Sequence, residues 1–167
     1  MPRGVKLGVD VGMARVGVAV CDPDGVLATP LKTLKRDQKK NSDIRVLVSM
    51  AAEHAAVQVF VGLPRSLRGG ETASTTMARD YAEDLAGELA RSAPGVEVRL
   101  IDERLTTVSA HRALRESGLD GRKHRQVVDQ VAAADILQQA LDMQKSLQRD
   151  VGMAVGNGSR PDSSDLD

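Results

Sequence analysis

The sequence predicts an α/β domain built on one mixed central sheet. Two β-rich runs joined by a glycine-containing connection open the chain, a third run follows a turn, and short apolar runs then alternate with helical stretches. The opening VKLGVDVGMARVGVAV reads as a hairpin, and VLATPLKTL follows the turn signal DPDG as a third strand. Next come a helical stretch at about 41–55, the apolar run VQVFVG, the loop LPRSLRGGET and a second helical stretch at about 73–91. The strand-like VEVRLID follows a PG turn, and two further helical pieces are expected at about 107–117 and 126–148. Three sequential strands give an antiparallel meander, and the later strands become parallel through helical crossovers.

A chain of 167 residues can bury one core without disulfides or structural metal, so residues 1–149 read as a single domain. From Asp150 the sequence is rich in Gly, Ser and Asp, and 150–167 is expected to be a disordered tail.

Composition narrows the function. Lys+Arg and Asp+Glu are each 23, so a polyanionic partner must be met by a local patch rather than a global field. The single Cys21 cannot form an intramolecular disulfide, and neither a secretory apolar region nor a bilayer-spanning run is present. The expectation is a soluble cytoplasmic protein with no membrane partner. One cysteine and three scattered histidines, His54, His111 and His124, match no zinc-ligand spacing. With Phe60 and Tyr81 the only aromatic residues, base stacking on exposed rings is disfavoured.

Three acidic positions stand out. Asp10 closes the first apolar strand just before a glycine, where α/β sheets place their ligands; a turn aspartate bonded to its own backbone is the plainer alternative. In VRLIDERLTT an apolar strand runs into Asp102 and Glu103. Alternation puts Asp102 with Val98 and Leu100 and Glu103 with Arg99 and Ile101, and does not choose between the acids. Thr106 and Thr107 are N-cap candidates for the next helix, where nearby acids would be favourable in any case. In VVDQVAAADILQQAL, Ala132, Ala133, Ile136, Leu137 and Ala140 recur at helical spacing from Asp129, so Asp129 begins the apolar stripe. A carboxylate there is costly unless paired, hydrogen-bonded, metal-bound or near the helix N-terminus. Asp135 falls with Gln138, Gln139 and Asp142 on a face read as solvated.

The segments DVGMARVGVAV, VGLPRSLRGGE, DER followed by Thr-Thr, and VVDQVAAADILQ, in that order, resemble the YqgF/RuvX family of Holliday junction resolvases and pre-16S rRNA nucleases. The resemblance covers about residues 5–141. It implies an RNase H-like fold and an acidic triad on Asp10, Glu103 and Asp129, favouring Glu103 over Asp102. One departure is in the middle loop, which has Ser66, Leu67 and Arg68 where family members commonly show an Asn or other polar residue and an Asp before the glycine.

The expected activity is therefore a metal-dependent endonuclease acting on structured RNA or branched DNA. Carboxylate oxygens suit Mg²⁺ or Mn²⁺, with Asp10, Glu103 and Asp129 as ligands. Candidate phosphate contacts are Arg15, Arg65, Arg68 and Arg104, together with Arg122, Lys123 and Arg125 in the run RKHR before the helix carrying Asp129. A two-fold-symmetric junction would suit a homodimer. Two rivals remain: a catalytically silent nucleic-acid or protein-binding module of the same fold, and an actin or sugar-kinase-like phosphotransferase. The second would need two lobes, and the chain supplies one domain.

Overall fold

The structure is a computed structural model that describes residues 3–66, 68–103 and 122–156, with backbone alone at 122–126. A six-stranded sheet has the order β3-β2-β1-β4-β5-β6. Strands β1 (Lys6–Val11), β2 (Arg15–Cys21) and β3 (Ala28–Lys35) form the antiparallel meander, with a bulge between Val18 and Ala19 where β2 meets β3. Strands β4 (Gln58–Leu63) and β5 (Glu97–Asp102) run parallel to β1, and the short β6 (Met153–Ala154) closes the far edge antiparallel to β5. Helix α1 (Ser42–Glu53) connects β3 to β4, and α2 (Ala73–Ser92) connects β4 to β5. Helix α3 (Arg122–Leu147) follows the undescribed segment. The mixed sheet matches the expectation from sequence; the helix expected at 107–117 lies outside the described residues.

β1 and β4 are buried at every position because helices cover both faces of the sheet. On one face Val9, Val11, Val61, Leu63 and Leu100 pack against Ile44, Leu47, Leu85 and Leu89 of α1 and α2. On the other, Ala19, Phe60 and Ile101 pack against Ala132, Ala133, Ile136, Leu137 and Ala140, the stripe read from the sequence of α3. Gly8 lets that helix sit close: a Cβ there would stand 2.6 Å from the Ala133 carbonyl oxygen and 2.7 Å from Leu137 Cβ. The exposed edge strand β3 carries Lys32, Lys35 and Pro30, which discourage pairing with another chain.

α2 begins in a capping box. The Thr72 side chain accepts from the Thr75 amide, and the Thr75 hydroxyl accepts from the Thr72 amide at 2.9 Å. Between α1 and α2, buried Asp43 accepts from Arg36 Nη1 at 2.9 Å and from the Tyr81 hydroxyl at 3.0 Å. The Arg36 guanidinium lies 4.8 Å from the centre of the Tyr81 ring.

Two sequence expectations are corrected. Residues 122–125 are the first turn of α3 rather than a segment preceding a helix that starts near 126. The segment from Asp150, read as the start of a tail, instead continues the domain. Val151 is buried against the α3 face of the sheet, Met153 and Ala154 pair with Leu100 and Arg99, and the Arg99 guanidinium donates to the carbonyls of Val151 and Gly152. Its polar, glycine-rich composition hid one apolar anchor and a set of backbone acceptors. Residues 157–167 lie outside the described part of the chain. Among the described residues, no helix is long and apolar enough to cross a membrane.

Candidate active site

Asp10 lies at the carboxyl end of β1, the strand flanked by the antiparallel β2 and the parallel β4. It is in register with Gly17 of β2. One step beyond the Val9–Val61 pair, it falls beside Gly62 of β4. Alternation from Gly8, which meets α3, points Asp10 to that same face.

Each flanking glycine has a second acid packed over it. A Cβ on Gly17 would overlap the Asp129 carbonyl oxygen and stand 3.1 Å from Asp129 Cβ. A Cβ on Gly62 would stand 2.6 Å from Glu103 Oε2 and 3.1 Å from Glu103 Cγ. Asp10, Glu103 and Asp129 therefore occupy one end of one face of the sheet, and all three are buried, at 1%, 3% and 1% exposure. Asp102 pairs with Leu63 at the end of β5 and is half-buried, whereas Glu103, two residues past the α3-facing Ile101, lies over Gly62. Periodicity left that choice open because it could not say which face α3 would cover. Gly17 and Gly62, which make room for the acids, were not singled out from sequence; their signal is a glycine inside each of two apolar strands.

Arg15, at the start of β2, donates from Nε to Asp129 Oδ2 at 2.7 Å; its side chain is 27% exposed, that of Asp129 1%. Of the alternatives left open from sequence, pairing is the one this contact realises, and a helix-terminus position is not. Asp129 sits about two turns into α3, beyond the first turn where the dipole acts.

The donor set, carboxylate oxygens on a buried face, fits a hard divalent cation in chemical type. The spacing is less complete: among the described residues, no group of three or more His, Cys, Asp or Glu side chains is placed to hold one ion. Arg15 engages one oxygen of the Asp129 carboxylate, Oδ2.

Of the expected phosphate contacts, Arg65 is half-buried and Arg68 exposed on the loop that leaves the carboxyl end of β4, the end where the acids lie. That loop is held by its own bonds. The Ser66 amide donates to the Gly70 carbonyl at 3.0 Å, and the Gly70 amide to Ser66 Oγ at 2.9 Å. Arg104 lies outside the described residues, as do the side chains of Arg122, Lys123 and Arg125. Cys21 is buried at the far end of β2, and burial pushes its thiol above the usual range.

Comparison with known proteins bears on this arrangement. The family model described as RuvX, Holliday junction resolvase, matches residues 4–143. A protein of Nocardia farcinica bearing the provisional name pre-16S rRNA nuclease is 48% identical over 165 residues, covering 96% of this chain and 89% of that protein. Relatives with the same name occur in Streptomyces coelicolor (47% identical; 93% and 90% covered) and Frankia casuarinae (53% identical; 84% and 68% covered). Among solved structures, Thermus thermophilus RuvC in complex with Holliday junction substrate superposes with a TM-score of 0.54 at 17% identity, covering 91% of this chain and 99% of that one. That likeness concerns the fold, an RNase H-like sheet with helices on both faces. The family match spans every element from β1 to the carboxylate-bearing part of α3, and with identities near one half across most of the chain it establishes that this chain belongs to the RuvX family.

Proposed function

We propose that this chain is a cytoplasmic endonuclease that hydrolyses phosphodiester bonds in structured nucleic acid, with Asp10, Glu103 and Asp129 as its acidic centre. The observation that carries the reading is the placement of three buried carboxylates around Gly17 and Gly62 at one end of the central strands. Burying carboxylates together is costly unless charge or hydrogen bonds meet them, and Arg15 meets Asp129. In this reading Asp10, Glu103 and Asp129 would hold Mg²⁺ or Mn²⁺, which when bound would supply an activated water and stabilise the leaving oxygen.

The remaining roles belong to the chain itself. Arg15 aims the Asp129 carboxylate and, being partly exposed, can turn its other guanidinium nitrogens to a phosphate oxygen. Arg65 and Arg68 extend from the adjacent loop as backbone contacts, and we assign Arg104, Arg122, Lys123 and Arg125 the same role. The start of α3 lies about 10 Å along the helix from Asp129, within reach of a neighbouring phosphate.

The substrate is a structured precursor rRNA or a four-way DNA junction, the two classes named for the relatives and the family. Cutting a symmetric junction would call for a homodimer, cutting an rRNA end would not. The test compares both substrates side by side with Mg²⁺ and Mn²⁺, using wild type, Asp10→Asn, Glu103→Gln and Asp129→Asn. Cleavage of one substrate should fall about a hundredfold or more in each variant. Equal cleavage in all four proteins would refute the assignment. Binding without cleavage by wild type would establish the alternative, a silent nucleic-acid-binding module.

A further inference from the structure

Lys6 opens β1, four residues before Asp10, so it lies on the same sheet face but about 13 Å away, at the opposite end. It is only 4% exposed. Its ammonium makes one long hydrogen bond, 3.4 Å to the Gly4 carbonyl, and among the described residues no carboxylate lies within ion-pairing distance of it. A buried ammonium with so little compensation is costly unless something else meets it.

What it faces is a cavity of about 180 Å³, lined by Arg3, Lys6, Asp24, Gly25, Gln144 and Lys145 among others. Lys6 Nζ is 3.9 Å from where a Cβ on Gly25 would stand, which puts the ammonium at the wall that Gly25 leaves bare. Among the described lining residues the one carboxylate, Asp24, is bonded to Arg3 at 2.5 Å. The Gln144 amide nitrogen is held by Gln58 Oε1 at 3.2 Å and Asp150 Oδ1 at 3.0 Å. Lys6 and Lys145 are therefore the surplus charge of the cavity.

We infer that this cavity binds a phosphate group carried as a free ion or as a terminal monoester. The size suits a tetrahedral oxyanion, and the ammonium groups supply point charges for it. A terminal monoester, with chain on one side only, reaches a buried ammonium more readily than a diester within a continuous strand. The site is separate from the acidic centre and stands whether or not the nuclease reading holds.

The full chain is titrated with inorganic phosphate by calorimetry and by thermal unfolding, at ionic strength fixed with chloride. Wild type should bind saturably, and at about a hundredfold excess over Kd its unfolding midpoint should rise by roughly 5 °C. Lys6→Met should lose at least tenfold in phosphate affinity. Lys145→Met, at an exposed position, should lose severalfold and serves as the deciding variant if Lys6→Met does not fold. No response beyond that to chloride, or undiminished affinity in the deciding variant, overturns the proposal. Competition by a 5′-phosphorylated oligonucleotide but not its 5′-hydroxyl counterpart identifies a strand end as the source, and competition by neither identifies the free ion. Equal competition by both would mean binding through the diester backbone and would refute the monoester site.

Discussion

Arg15 and Asp129 are 114 positions apart in the chain and share one hydrogen-bonded ion pair, in which the acid is buried and the base partly exposed. Replacing Arg15 by Met removes the charge from above a carboxylate that cannot move into water. Solvent reaches the arginine, so the expected loss is below that of a fully buried pair, about 1–3 kcal/mol by urea unfolding. At the opposite face Tyr81 gives a second residue-scale outcome. Burial foremost, and Asp43 beside it, push its phenol well above the ordinary value of about 10. The folded state keeps the proton that the unfolded state releases, so this contribution to stability is complete below about pH 10 and declines as pH rises beyond it. As Tyr81 is the only tyrosine, absorbance near 295 nm should show no tyrosinate at pH 11 until the protein unfolds, and Tyr81→Phe should flatten the alkaline loss of stability. Asp10 and Asp129 were visible in the sequence because one closes and the other begins an apolar pattern, whereas the pattern left Asp102 and Glu103 open and the family resemblance favoured Glu103. The pairing of Asp129 with Arg15 was not visible, since nothing local in DVGMAR says that its arginine will meet a helix from the other end of the chain.

At the scale of elements, β1 to β5 and the apolar stripe of α3 were legible because their periodicities are strong and glycine or proline turns separate them. The beginning of α3 was not: RKHR carries no apolar spacing, although the backbone is helical from Arg122. β6 escaped for the opposite reason, being a two-residue strand with exposed side chains, held through main-chain pairing and the Arg99 guanidinium. Its contribution can be measured by comparing a chain ending at Gly156 with one ending at Arg149. The shorter chain loses Val151 from the core, the Asp150 carboxylate that meets Gln58 and Gln144, and the β6 pairing. It should be less stable than the longer one by about 2–4 kcal/mol in chemical denaturation. Equal stability would mean that the edge strand is dispensable.

Across the whole molecule, one sheet separates two apolar layers, and the acids and the buried lysine lie at opposite ends of the same layer, beneath one helix. The fold class was readable at this scale from the order of runs alone. Which layer would hold the acids depended on the crossover geometry, which periodicity does not contain. The fit of α3 into the surface left open by Gly8, Gly17 and Gly62 has a dynamic consequence. A helix in close contact with three adjacent strands at these glycines cannot lift from one of them alone, so the strand amides beneath it lack a local route to solvent. Deuterium should enter the amides of Val9, Asp10 and Gly17 only when the entire chain opens, with a urea dependence equal to that of global unfolding. Faster, denaturant-insensitive labelling there would reveal a centre that breathes independently of its scaffold.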